Sequence, residues 1–216
     1  MVSQQGKTSS RRSVSGSGGR KRKRAAPLDE TALRDLALAY VARFSTTAAK
    51  LEAYLARKIR ERGVAEDADG RYRELDIPGL VARLVELGYV DDDAYARSRS
   101  RDLTGRGFGQ RRVEQALRAA GVEEQTRAHN VPDEAASRRA ALLLARKRGF
   151  GPFARMVGEP DEAPEAARKR REKQVAAMLR AGHLYDHIQF ILEASDAQSV
   201  EEWVMEAEED ERDDWR

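Results

Sequence analysis

Apolar residues along this chain recur at helical spacing and almost never alternate. Leu51, Leu55 and Ile59, with Tyr54 alongside, make an i, i+4 stripe. Leu80, Leu84 and Leu87, with Val81 and Val85, mark the buried side of a short helix. Val113, Ala116, Leu117 and Ala120 repeat at i, i+3, i+4, i+7, the signature of a helix with one face inward. From Leu28 to Phe44 the chain is rich in Ala and Leu and holds no turn residue. No strand pattern is visible, so the expected fold class is all-α.

Capping chemistry divides this pattern into helices. Ser45, Thr46 and Thr47 supply N-cap oxygens ahead of the Leu51 stripe, and Pro78 stands where an early helical position tolerates a missing N–H. Gly88 falls just past the Leu80–Leu87 helix, where a residue must enter the left-handed region. Asp91, Asp92 and Asp93 then crowd a new helix start, and that helix carries Tyr95, Ala96 and Leu103 inward before the glycines at 105–109. Gly121 closes the Val113 helix.

The same device occurs twice. "VARLVELGYVDDDAYA" (81–96) lies over "VAAMLRAGHLYDHIQF" (175–190), pairing Gly88 with Gly182, Val90 with Leu184 and Asp92 with Asp186. "KLEAYL" (50–55) matches "RVEQAL" (112–117) in pattern, and "RGFG" occurs at 106–109 and again at 148–151. Units this small cannot bury their own faces and must stack on neighbours. The expected organisation is about three tandem three-helix repeats in an elongated, curved arrangement: 28–64, 76–122 and 133–194, the last with a polar loop over 149–166.

"RGFG" invites a second reading, as a glycine cradle for a nucleotide phosphate. Such a loop needs an apolar strand before it and a helix N-terminus facing the anion. Polar, helical "ARSRSRDLT" precedes Gly105, no Lys-Ser/Thr follows, and the spacing is not G-x-G-x-x-G. The motif reads as a repeat turn.

Composition changes the picture at the two ends. Residues 1–26 hold eight Lys or Arg and no acid, and residues 201–216 hold nine Asp or Glu against two Arg. The net charge of +3 therefore conceals +8 at one end and −7 at the other. Both read as solvated, disordered segments: a basic arm over 1–27 and an acidic tail over 195–216. With 40% hydrophobic and 36% charged residues, the chain suits thin helical seams better than one thick core. Cysteine is absent, which excludes disulfides and thiolate chemistry and fits a reducing, cytoplasmic setting. No apolar run is long enough for a membrane span, and the N-terminus lacks the apolar stretch of a secretory signal.

Candidate catalytic chemistry is thin. His183 and His187 are four apart, but Gly182 places His183 at a junction rather than on the same regular helix, and no third ligand stands at metal-site spacing. His129 lies alone in a loop. Carboxylates cluster only at helix starts and in the tail, and no nucleophile elbow is present. No catalytic residue, metal or cofactor is expected, and the chain is not expected to be an enzyme.

Arginine gives the stronger signal. Arg97, Arg99, Arg101, Arg106, Arg111, Arg112 and Arg118 are opposed only by Asp102 and Glu114. Arg97 and Arg101 share a helical face, as do Arg111, Gln115 and Arg118 opposite the Val113 stripe. Arg146, Lys147 and Arg148 precede the second "RGFG", and Arg168, Lys169, Arg170, Arg171 and Lys173 form a third group. These charges read either as an ordinary solvated face or as a basic surface for a polyanion, through nucleic-acid backbone or an acidic protein groove.

"LVELGYVDDDAYARSRSRDLTGRGFGQRRVEQALRAAGV" resembles the RecX family, regulators of the RecA recombinase. The likeness rests on Gly88, Tyr89, Val90, Asp91, Asp92, Tyr95, Ala96, Gly107, Phe108, Gly109, Gly121 and Val122, and it covers about 31–194. "AAMLRAGHLYDHIQFIL" is similar to the family's third repeat. The resemblance implies a non-catalytic monomer that binds the groove of the RecA–single-stranded DNA filament and blocks its growth during DNA repair and the SOS response. Any contact with single-stranded DNA would be weak and backbone-directed. Arg97, Arg101, Arg106, Arg111, Arg112, Arg118, Arg146, Lys147 and Arg148 are the candidate contacts, while Tyr95 and Phe108 are expected to pack between helices. The alternative is a general DNA-binding helical protein, with 81–121 as a helix-turn-helix transcription regulator.

Overall fold

The structure is a computed structural model that describes residues 26–154 and 163–213. Ten α-helices follow one another among these residues: α1 (Glu30–Val41), α2 (Ala48–Arg62), α3 (Ile77–Glu86), α4 (Asp92–Gly105), α5 (Gln110–Ala119), α6 (Glu124–His129), α7 (Glu134–Arg148), α8 (Pro164–Ala181), α9 (Tyr185–Glu193) and α10 (Ala197–Asp213). Extended pairing among the described residues is confined to isolated bridges, Leu28 with Val64 and Glu66 with Tyr72. The fold is all-α.

Five of the helix starts are set by short polar side chains. Asp29, Thr47, Asp76, Asp91 and Asp133 each accept from the backbone N–H three residues on, at 2.7–3.2 Å. Five helix stops share one geometry. Gly88, Gly107, Gly121, Gly149 and Gly182 all take φ between 65° and 92°, which a Cβ would oppose. The next residue then donates its N–H to the carbonyl five positions back: Tyr89 to Leu84, Phe108 to Leu103, Val122 to Leu117, Phe150 to Ala145 and His183 to Met178. This is the Schellman closure. Both "RGFG" motifs are such stops.

Three apolar clusters follow one another along the chain. Leu33, Ala37, Leu51, Leu55, Val81 and Leu84 join α1, α2 and α3. Ala96, Leu103, Val113, Leu117 and Val122 form a smaller cluster on α4, α5 and the turn after α5. Ala141, Ala145, Met178, Ile188, Ile191, Val200 and Trp203 join α7 through α10. The segment 76–122, one unit by sequence, thus divides in packing: α3 lies with α2, and α4 with α5.

The acidic end departs from expectation. Over 197–213 it is helix α10, packed on α7, with Val200, Trp203, Val204 and Ala207 buried. The spacing 200, 203, 204, 207 is an apolar stripe that the high charge around it masks. Opposite charge reinforces the packing: Arg139 pairs with Glu208, Arg146 pairs with Glu201, and Ala135 N–H donates to Glu211 at 2.9 Å. Trp203 is held between Phe190, stacked at 4.5 Å, and the Arg138 guanidinium at 4.7 Å. The basic arm expected over 1–27 falls, up to residue 25, outside the described residues. Of the loop expected over 149–166, Gly151–Phe153 make a 3-10 turn, α8 begins at Pro164, and 155–162 lie outside the described residues.

Candidate functional site

The middle cluster is joined to both neighbours through helix ends. Helix α5 starts at Gly109 without a side-chain cap. Its free N–H groups are met instead by the C-terminal carbonyls of α8: Gly109 donates to Ala181 at 2.9 Å and Arg111 to Gly182 at 3.1 Å. A C-terminal helix end therefore feeds an N-terminal one, satisfying orphan groups of both and aligning their dipoles. The other end of α5 repeats the device against α2, where the Thr47 hydroxyl donates to the Ala120 carbonyl at 2.5 Å. Asp92 accepts from Ala48 N–H at 2.9 Å, and burial pushes its carboxyl above the usual range while that hydrogen bond works the other way. Lys50 lies over the Tyr95 ring at 4.6 Å.

These contacts answer the phosphate question. The amides at the first "RGFG" are occupied: Gly107 donates to Thr104, Phe108 to Leu103 and Gly109 to Ala181. No anion cradle of backbone N–H groups is available there.

His183 seals the same junction. It is 1% exposed, and Nε2 lies 3.1 Å from the Gly107 carbonyl. A carbonyl only accepts, so Nε2 carries the proton, and Nδ1 is buried without a hydrogen-bond partner. Burial lowers the imidazole to about 4, against the opposing pull of Gly107. His187, buried on α9, pairs with Glu134 at 3.1 Å. Burial alone would raise the Glu134 carboxyl, yet Arg138 and His187 hold it below its usual range. Both histidines are thus consumed in packing. Among the described residues no group of three or more His, Asp or Glu is placed to hold a metal ion, and no helix is long and apolar enough to cross a membrane.

The candidate cations all lie at the surface but differ in what holds them. Arg97 pairs with Asp93, Arg118 with Glu114 at 2.9 Å, and Arg106 with Asp102 at 3.6 Å. Arg112 donates to Gln115 at 2.8 Å, and Arg146 belongs to the α10 contact. Arg101, Arg111, Lys147 and Arg148 are exposed, and their side chains hold no hydrogen bond or ion pair among the described residues. Exposed pairs of this kind contribute roughly 0–1 kcal/mol, so Arg97, Arg106 and Arg118 can exchange partners at little cost.

Three of these cations converge. Arg106, from the first "RGFG", and Lys147 and Arg148, beside the second, line one cleft of about 400 Å³. Phe108, Phe150, Leu143, Leu144, Ala177 and Ala181 complete its walls. Gly107 sits so close to α7 that a Cβ there would be 3.3 Å from the Leu144 nitrogen. The apolar half of the cleft escaped the sequence reading, although the run Leu142-Leu143-Leu144 carries the signal. At 100° per residue three successive leucines cannot all turn inward, and Leu143 is 40% exposed.

No family model matches the chain. The regulatory protein RecX of Myxococcus xanthus is 30% identical over 179 residues, covering 81% of this chain and 91% of that protein. This chain belongs to the RecX family. The regulatory protein RecX of Agrobacterium fabrum is 36% identical over 97 residues, or 45% of this chain and 48% of its own. The crystal structure of RecX from Lactobacillus salivarius superposes with a TM-score of 0.54 at 18% identity, covering 75% of this chain and 93% of that one. At that identity the likeness carries the fold, and it is the RecX helical fold.

Proposed function

We propose that this RecX-family protein is a non-enzymatic regulator that binds the RecA–single-stranded DNA filament and inhibits its extension, lowering recombination, repair and SOS activities. The observation that carries this reading is the set of exposed cations without partners among the described residues, Arg101, Arg111, Lys147 and Arg148, distributed over α4, α5 and α7. Arg97, Arg106, Arg112, Arg118 and Arg146, each held by a surface partner, lie beside them. Side chains of this kind suit a polyanionic fibre better than a base-reading contact, because nothing in the arrangement specifies a sequence. DNA contact would then be weak and backbone-directed, and the working unit a cytoplasmic monomer.

The test is DNA-dependent ATP hydrolysis by RecA on preformed filaments, titrated with wild type and with the Arg111→Glu/Arg112→Glu variant. Wild type should inhibit, and the folded variant should inhibit less. Full inhibition by the variant would remove these residues from the account. Sequence-specific duplex binding without RecA would favour the transcription-regulator reading instead.

A further inference from the structure

We infer that the cleft between the two Arg-Gly-Phe-Gly turns is a docking site for an acidic peptide segment of a partner protein, one that alternates carboxylates with aliphatic side chains. The inference deepens the preceding proposal and rests on it for the existence of a protein partner. It adds where that partner is held and by what chemistry.

Charge comes first. Arg106, Lys147 and Arg148 stand around the cleft, and among the described residues none that lines it is acidic. Among the described residues Lys147 and Arg148 hold no side-chain partner, and Arg106 is engaged with exposed Asp102 at 3.6 Å and lies over the Phe108 ring at 5.6 Å. An incoming anion therefore meets one wholly free pair and one cation released at small cost.

The walls then choose the anion. A phosphodiester strand is best held by backbone N–H groups together with aromatic faces on which bases stack. Neither is on offer. The amides of Gly107, Phe108, Gly149 and Phe150 all donate into the helices they terminate. The Phe108 ring already faces the Arg106 guanidinium at 5.6 Å, and Phe150 packs against the third apolar cluster. What remains is aliphatic: Leu143, Leu144 and two alanines of α8. Such a floor gains from covering by Leu, Ile or Val side chains, and nothing from a sugar-phosphate chain. Cations around an aliphatic floor fit carboxylates spaced between aliphatic residues.

The experiment uses the full chain and a fluorescent peptide of Glu-Glu-Leu repeats, with the Gln-Gln-Leu peptide and an oligothymidylate as competitors. The acidic peptide should bind and should shift the amide resonances of Gly105, Gly107 and Gly149. Lys147→Glu/Arg148→Glu should weaken it roughly tenfold or more. Leu143→Ser should weaken it too, whereas the charge-matched pair Arg34→Glu/Arg43→Glu on the first cluster should not. All substituted side chains are exposed, so each variant should keep its helical signal and melting point. No binding, equal binding by the variants, equal competition by the Gln-Gln-Leu peptide, or displacement by oligothymidylate alone would overturn the inference. Because the assay contains no RecA, loss of peptide binding with intact filament inhibition sinks this site only. Peptide binding without filament inhibition sinks the preceding proposal only.

Discussion

Gly109 and Gly182 meet backbone to backbone. A Cβ on Gly109 would lie 2.5 Å from the His183 nitrogen and would also strike the Gly182 carbonyl, while one on Gly182 would lie 2.7 Å from Arg112 Cβ. The seam between the second and third apolar clusters therefore depends on the lack of side chains at both positions.

Gly109→Ala should destabilise the protein by about 2 kcal/mol or more, since backbone on the far side cannot yield as a flexible side chain would. Gly105→Ala is the control, because nothing lies within 4 Å of a Cβ there. It should leave stability unchanged or raise it by up to about 1 kcal/mol. Thermal melts of the two variants distinguish a steric effect from a general intolerance of the turn.

Acid should loosen the same seam. Folding holds the His183 imidazole at about 4 against an ordinary 6.5, so between those pH values the unfolded chain takes up a proton that the folded chain refuses. Stability then rises with pH across that window and falls as acid is added, by up to about 3 kcal/mol from this group. Glu134, held below its ordinary range, adds a loss of the same sign as pH falls through the carboxylate range. Urea midpoints between pH 7 and pH 4 measure the slope. His183→Gln keeps a donor for Gly107 and should flatten the upper part of the curve; an unchanged slope would exclude His183 as its source.

Trp203→Ala should cost about 3–5 kcal/mol, the usual range for an aromatic removed from a packed site. Trp203 is 9% exposed and touches Phe190, His187 and Arg138. Glu208→Gln, which removes only an exposed ion pair with Arg139, should cost less than about 1 kcal/mol. A comparable loss from both would mean that charge rather than the apolar stripe holds α10.

Arg101→Ala and Arg111→Ala should each change stability by less than about 0.5 kcal/mol, because neither side chain has a partner to lose among the described residues. Both should weaken inhibition of RecA filaments, with the difference from wild type shrinking as salt rises. Loss of inhibition that persists undiminished at high salt would argue against an electrostatic contact.

Much of the fold was legible because its instructions are local. Thr47, Asp91, Gly88 and Gly121 cap helices through contacts within a few residues, and the Val113–Leu117 stripe shows its buried face directly. The relation between clusters is less legible. Nothing in the spacing of Gly109 and Gly182 shows that one helix end would dock on another some seventy residues away in sequence. Helix α10 was obscured for a different reason: its four buried residues are embedded among carboxylates that suggest solvation, and the partners that neutralise several of them, Arg139 and Arg146, lie on α7. The candidate cations stand out in the sequence as a group. Their division into paired and free, and the meeting of Arg106 with Lys147 and Arg148, depend on tertiary geometry.

The end-to-end junctions of α5 carry a last implication. At its α8 end the junction is made by backbone amides and carbonyls, so only the glycines at 109 and 182 are fixed by it. Side chains on the outward faces of α5 and α8 take no part in that join. A chain so assembled can revise its outer surface without losing the join between its second and third apolar clusters.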